Sequence, residues 1–344
     1  MSLLDKIKKT STIKLTSLLE DSKIFNEKDC TTTPIYGLNI ALSGRLDGGF
    51  MSGLTLFCGP SKHFKTLYTL ILAKAYMDKY PEAVLLFYDS EFGTPVAYFE
   101  SLSIDMSRVI HTPITNIEEF KFDIMKQLEA LERGEKLFIA VDSIGNLASK
   151  KEVDDALSGN TAADMTRAKQ LKSVFRMVTP HLTIKDIPMV CVNHIYMTQE
   201  MFSKAVVSGG TGIYLSADNI FIIGRQQEKD ASGIAGYNFV INVEKSRHSR
   251  EKSKIPITVL HDGGLNKYSG LMDIAMNGNF TAKPKNGWYA RVDQETGELE
   301  PKNWRIADTH NKEFWDPILS STKFQEYIKS EYAVGNNALM TEEE

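Results

Sequence analysis

The sequence predicts an α/β fold with a mostly parallel central sheet, a short N-terminal helical attachment and a small C-terminal subdomain. Three observations carry this expectation. Short apolar runs alternate with helical stretches between about residues 34 and 260, the pattern of strands joined by crossover helices. The first run leads into Gly59-Pro60-Ser61-Lys62-His63-Phe64-Lys65-Thr66 and then a helix, the setting of a loop whose backbone N–H groups wrap phosphate. After about Leu265 the texture turns to Gly, Asn and Trp among polar residues, which marks a separate subdomain.

Within residues 2–27, Leu4, Ile7, Ile13, Leu15, Leu18, Leu19 and Phe25 recur among charged residues in an uneven helical pattern, a small attachment. Strands are expected at 55–58, 84–88, 137–141, 189–192, 220–223, 239–243 and 257–260, each a short apolar run. Helices are expected at 66–79, 117–133 and 164–178, the second closed by Gly134, a residue type that tolerates a left-handed backbone. The expected divisions are 1–33, 34–265 and 266–344.

With 344 residues, 42% hydrophobic and 24% charged, the chain can bury a sizeable core; it is not wholly disordered, a collagen or a disulfide scaffold. Runs such as Val84-Leu85-Leu86-Phe87-Tyr88 fall far short of the roughly 20 residues a membrane-spanning helix needs. No apolar signal core accompanies the N-terminal lysines, so secretion is not expected. Cys30, Cys58 and Cys191 form no CxxC pair, and the last two sit in apolar runs, which suggests reduced thiols in a cytosolic setting. A net charge of −4 requires any DNA site to be a local basic patch.

Four strand ends carry polar groups. Around the loop at Gly59, Lys65 would reach β- and γ-phosphate oxygens and the Thr66 hydroxyl would bind Mg²⁺, although Phe64 stands where the standard pattern has glycine. Asp142 ends the run 137–141 at the sheet edge where ligands bind in open α/β folds, and suits a Mg²⁺ partner for Thr66; alone, it reads more readily as a loop cap, a reading that the loop at Gly59 reverses. Glu91, in Tyr88-Asp89-Ser90-Glu91, is placed to take a proton from an attacking water, or is a solvated loop residue. Asn193-His194 ends the run 189–192 and could hydrogen-bond a γ-phosphate.

These residues, in this order, resemble the RecA-type strand-exchange family, most closely its phage branch, the UvsX recombinases of T-even-type phages. The resemblance runs from about residue 24 to 289. It includes Gly59-Pro60, Lys65-Thr66, Asp89-Ser90-Glu91, Tyr98, Leu102-Ser103-Ile104-Asp105, Val141-Asp142-Ser143, Asn193-His194, Gly209-Gly210, Val243-Glu244-Lys245-Ser246-Arg247 and Gly287-Trp288-Tyr289. Phe64 looks like the phage form, and His194 stands where bacterial relatives carry glutamine. The resemblance implies a RecA-like ATPase core, Mg²⁺-ATP bound between protomers of a helical filament on single-stranded DNA, and exchange with homologous duplex DNA. It also implies a bacterial-cytoplasm setting, and as partners a phage single-strand-binding protein and a recombination mediator.

By the same resemblance, Lys245 and Arg247 are the cations that reach the neighbour's γ-phosphate. The bare sequence offers support, since Lys245, Arg247, Arg250, Lys252 and Lys254 crowd five cations into ten residues; it is also compatible with a solvated hairpin face. Two segments are candidates to hold DNA. Residues 155–164 precede a helix with Arg167, Lys169, Lys172 and Arg176; residues 195–212 contain Tyr196, Met201, Phe202, Lys204, Gly209 and Gly210. Cations would bind phosphates, and apolar groups would wedge between bases, unless Met201 and Phe202 belong to a core helix. The N-terminal segment resembles the family's polymerisation arm, with Ile24 and Phe25 packing on the next protomer or on their own core. A ring helicase on the same core and a regulatory ATP-binding scaffold are the rival functions.

Overall fold

The computed structural model describes residues 2–26, 28–159, 166–198, 204–230 and 233–335. The chain opens with α1 (Leu3–Thr10), capped reciprocally by Ser2 and Asp5, then α2 (Lys23–Asn26) and α3 (Tyr36–Ser43). Strand–helix units follow: β1 (Gly53–Cys58), α4 (Lys65–Lys79), β2 (Val84–Asp89), α5 (Val96–Ser101), β3 (Val109–Pro113), α6 (Ile117–Ala130), β4 (Leu137–Asp142), α7 (Lys150–Ser158), α8 (Thr166–Lys185) and β5 (Pro188–Asn193). A hairpin of β6 (Ile195–Met197) and β7 (Ala205–Val207) leads through α9 (Thr211–Ser216) to the antiparallel β8 (Asn219–Asp230), β9 (Gly233–Lys245), β10 (Lys254–Leu260) and β11 (Gly264–Leu265). Beyond lie α10 (Leu271–Asn277), a small sheet of β12 (Thr281–Lys285), β13 (Trp288–Arg291) and β14 (Trp304–Arg305), and helices α11 (Lys312–Leu319) and α12 (Thr322–Tyr332).

Nine strands form the main sheet in the order β11-β10-β9-β8-β1-β5-β4-β2-β3. From β8 through β1 to β3 the pairing is parallel, because helices cross over between strands; from β8 to β11 it is antiparallel. Every residue of β1, β4 and β5 is buried, which is why those strands read as largely apolar runs. Alternation sends Phe57 into the core that contains Tyr68, Leu72 and Phe221, and sends Leu56 and Cys58 into the core that contains Phe120, Leu171 and Phe175. The register aligns Cys58 with Asn193, Val141 with Cys191, and Asp89 with Asp142, so the loops after β1, β5, β4 and β2 leave from one edge.

Three expectations need correction. Helix α6 stops at Ala130 rather than 133; Gly134 has φ +108° but lies in the following turn, where the Glu135 carboxylate accepts the Glu132 N–H. Helix α8 continues through Pro180 to Lys185, burying Leu182, while the Thr179 hydroxyl donates to the Phe175 carbonyl at 2.8 Å. Strand β3 was not expected, because this edge strand is half-exposed and reads Val-Ile-His-Thr-Pro without apolar continuity.

Candidate active site

The loop between β1 and α4 bends through two left-handed residues, Lys62 at φ +60° and Phe64 at φ +61°. A side chain in that region costs roughly 1–2 kcal/mol, which explains the usual glycine. Here the Phe64 ring stacks on Phe239 (5.0 Å between centroids) and meets Tyr68 edge-on (5.1 Å), offsetting the strain. Phe64→Ala removes the ring contacts and keeps the strained backbone, whereas Phe64→Gly removes both. The prediction is that the glycine variant is the more stable by about 1 kcal/mol, the reverse of the order inside a helix. Equal or inverted denaturation midpoints would refute this account of the loop.

Lys65 is buried, and its ammonium donates to the Pro60 carbonyl at 2.7 Å; burial lowers its pKa. The Thr66 hydroxyl donates to Asp142 Oδ2 at 2.6 Å. Asp142 is 2% exposed, its Oδ1 has no hydrogen-bond partner, and burial pushes its pKa up to about 6. An orphaned buried carboxylate oxygen beside a hydroxyl is a hard-oxygen environment that fits Mg²⁺, with the remaining ligands coming from phosphate and water. Among the described residues no cluster of three or more His, Cys, Asp or Glu forms a protein-only metal site.

Glu91 faces this pair. Its Oε1 accepts the Ser143 hydroxyl at 2.6 Å and lies 3.0 Å from His194 Nε2, and these contacts, His194 foremost, hold its carboxyl below the usual range. Its loop is fixed by the Ser90 N–H on the Asp142 carbonyl (2.9 Å) and by the Glu91 and Phe92 N–H groups on Asp89 Oδ1 (3.1 and 2.8 Å). Asp89 is itself buried, and its Oδ2 lies 3.1 Å from His111 Nε2 on β3. Together Ser61, Lys62, His63, Phe64, Lys65, Thr66, Glu91, Thr94, Tyr98, Asp142 and His194 line one cleft of about 290 Å³. Gly59 and Pro60 support it: the Gly59 N–H donates to the Asn193 carbonyl at 3.2 Å, and the Pro60 carbonyl accepts Lys65. Asp89, Ser143 and Thr94 had no assigned role from sequence; the one available signal was an Asp two residues before Glu91, spaced to hold that residue's N–H.

Lys245 and Arg247 lie elsewhere. Lys245 donates to the Tyr214 and Leu215 carbonyls at 2.9 and 3.2 Å, and Arg247 pairs with Asp218 at 2.5 Å. The other Asp218 oxygen accepts the Leu54 N–H at the start of β1, one strand length, roughly 15 Å, from the phosphate loop at its end. Neither cation belongs to its own chain's cleft.

The DNA segments divide. Residues 155–158 are the last turn of α7 rather than a loop, closed by Gly159 at φ +72°. Arg167, expected to face phosphate, instead donates to the carbonyls of Leu147 (2.8 Å), Gly145 (2.8 Å) and Ile144 (3.2 Å), holding the loop after β4. Lys169, Lys172 and Arg176 are exposed along α8. The described parts of segment 195–212 are paired strands rather than open loop: β6 pairs with β7, and Thr198 and Lys204 exchange hydrogen bonds of 3.0 and 2.9 Å. Gly209 and Gly210, at φ +97° and +79°, turn it into α9. Asn193 ties its base to β5, donating to the Ser208 carbonyl at 2.8 Å and accepting the His194 N–H at 2.8 Å. Met201 and Phe202 lie outside the described residues, as does the side chain of Phe25.

Comparison with known proteins bears on this cleft. The chain is 23% identical to RecA of Leptospira meyeri over 278 residues, 77% of this chain and 70% of that protein. Against RecA of Gluconobacter oxydans it is 22% identical over 323 residues, 92% and 88% of the two chains. Similarity to the recombination and repair protein of Enterobacteria phage T4 is much higher: 54% identity over 331 residues, 95% of this chain and 85% of that protein. The chain belongs to this UvsX-like family of recombination and repair proteins. The family model described as "Bacteriophage T4, Recombination and repair protein, C-terminal domain" matches residues 268–328 of the UvsX-like chain, from the end of the main sheet through most of α12. Neither a ring helicase nor a regulatory scaffold finds support in these matches.

Proposed function

We propose that this UvsX-like recombinase is a DNA-dependent ATPase that forms helical filaments on single-stranded DNA and exchanges it with homologous duplex. The observation that carries the reading is the convergence of Lys65, Thr66, Glu91, Asp142 and His194 in one cleft of a chain with this family membership. Lys65, released from Pro60, holds the β- and γ-phosphates. Thr66 and Asp142 hold Mg²⁺, which when bound neutralises charge on the phosphates. Glu91 orients water and accepts its proton, while His194 contacts the γ-phosphate and Tyr98 borders the nucleotide.

Lys245 and Arg247 of one protomer act at the next protomer's cleft, a reading supported by their position at the far end of β1. The arm, residues 1–33, has the means to join protomers: Leu3, Leu4 and Ile7 are 72%, 63% and 57% exposed. A receiving surface is available beside the edge strand β3, an apolar hollow of about 390 Å³ lined by Phe87, Phe92, Val96, Phe99 and Met106. Ile24 is half-buried, and the Lys23 carbonyl accepts Arg133 of the same chain, which favours that end of the arm packing at home. Core 34–265 and subdomain 266–344 complete the division, and a phage single-strand-binding protein and a mediator are its partners in the host cytoplasm. Among the described residues no helix is long and apolar enough to cross a membrane.

Electron microscopy with ATP and single-stranded DNA is expected to show helical filaments; rings, or no assembly, would reject the proposal. DNA affinity is predicted to fall steeply with salt and to show little sequence preference. Lys169→Ala should remove about one phosphate contact from the salt slope, whereas Phe202→Ala should weaken binding at nearly unchanged slope. Fluorescence anisotropy on mixed and homopolymer strands with a non-hydrolysable ATP analogue checks both, and binding indifferent to salt and to Phe202→Ala would overturn this mode.

A further inference from the structure

Between β8–β11 and the C-terminal subdomain lies a cavity of about 540 Å³ that shares no lining residue with the nucleotide cleft. Its size is that of sites that enclose a small ligand or a few side chains. Two carboxylates, Glu228 and Asp273, line it, and among the described residues no lysine or arginine does. Burial raises the Asp273 carboxyl and keeps His310, also in the lining, below its ordinary range, so the imidazole adds little positive charge. Lys267, next to the lining residue Tyr268, lies over its ring, 4.8 Å from the centroid, and is not part of the lining.

Hydrogen-bonding capacity is unspent at the same place. Asn238 Oδ1, Tyr268 Oη and Trp315 Nε1 are buried atoms of lining residues with no hydrogen-bond partner, and Trp315 is only 1% exposed. Buried polar atoms are nearly always paired in folded proteins, so an acceptor and a donor left over in one cavity wall point to a ligand carrying both kinds of group. The wall is also flat and aromatic, with Tyr268 stacked on Trp315 at 5.9 Å and an interplanar angle of 16°.

Two carboxylates with no opposing lysine or arginine among the described lining residues disfavour nucleotides, phosphate and carboxylates. Surplus acceptors beside stacked rings suit a planar cation that carries donors only, which is a guanidinium rather than an ammonium. A guanidinium alone leaves the Trp315 donor unserved; a peptide carbonyl would serve it. We infer that this cavity receives an arginine side chain presented by a peptide segment of a partner protein, with Asp273, Glu228 and Asn238 facing the guanidinium and Trp315 the peptide backbone. The inference does not depend on the assignment of the nucleotide cleft.

The test uses the full chain labelled with 5-fluorotryptophan. Its three tryptophans give three ¹⁹F lines, assigned with Trp288→Phe and Trp304→Phe. The probe is N-acetyl-arginine methylamide, and its uncharged citrulline counterpart is the control. The Trp315 line should move saturably with the arginine probe. Citrulline should bind at least about tenfold more weakly, and Asp273→Asn should weaken the arginine probe to a similar degree while leaving ATP turnover unchanged. Glu228→Gln provides the same comparison should Asp273→Asn fold poorly. No movement, an equal response to citrulline, or undiminished binding in both variants would overturn the assignment. So would a Trp315 shift that tracks protein concentration without probe, which would mean a second copy of this chain fills the cavity.

Discussion

Glu91→Gln is expected to bind ATP almost normally and to hydrolyse it about 10²–10⁴-fold more slowly, the range for losing a general base. The substitution keeps the shape of the side chain and its capacity to accept the Ser143 hydroxyl, so the Glu91 loop should stay in place. It removes the charge that Ser143 and His194 hold in its deprotonated form, and with it the proton acceptor. Lys65 and Thr66, proposed to hold phosphate and Mg²⁺, are untouched, which is why binding and turnover should separate. Nucleotide binding measured with a fluorescent analogue, alongside single-strand-stimulated phosphate release, distinguishes the two effects. Near-normal turnover in a correctly folded Glu91→Gln protein would remove Glu91 from the mechanism.

Loss of Arg247 should be as damaging and should be rescued differently. A trans-acting arginine in phosphoryl transfer is worth roughly 10³–10⁵ in rate, and here it would also help to hold the protomer interface. Arg247→Ala is therefore predicted to retain ATP binding as a monomer while losing filament assembly and DNA-stimulated hydrolysis. Lys245→Ala should behave similarly, though it also strips hydrogen bonds from the Tyr214 and Leu215 carbonyls, which makes Arg247 the cleaner probe. Mixed filaments decide the point. When Arg247→Ala and Glu91→Gln proteins are combined equally, roughly a quarter of head-to-tail interfaces pair an intact Glu91 cleft with an intact Arg247 edge. Turnover should recover at those interfaces. Verified mixed filaments that stay inactive at every ratio would place Arg247 outside the neighbour's site.

The parallel centre of the fold was legible because β1, β4 and β5 are sealed on both faces, so that Thr55 is the one polar residue inside them before the terminal Asp142 and Asn193. Strand β3 was not, since an edge strand needs no second buried face. That Lys65, Thr66, Glu91 and Asp142 share one cleft was readable from their positions, the first two opening the helix after β1 and the others at or just past the ends of β4 and β2, where parallel topology gathers whatever the chain places there. The duty of Arg167 was invisible: a cation near a candidate DNA segment looks the same in sequence whether it faces phosphate or, as here, three backbone carbonyls. Asp89 and Ser143 escaped for a related reason. They act on the backbone or side chain of a neighbour whose orientation only the packed structure defines.

The end of β5 places two adjacent residues on two different tasks. His194 looks toward Glu91, and Asn193 anchors the base of the hairpin through Ser208. A shift of this strand end that improves one contact must strain or ease the other, since a single peptide joins them. Thermodynamic linkage then makes the coupling symmetrical: whatever factor ATP contributes to the affinity for a single strand, the strand returns to the affinity for ATP. Measured as two binding constants in each of two states, the four values close a cycle. Substituting Asn193 should shrink that shared factor from both directions at once, rather than weakening one ligand alone.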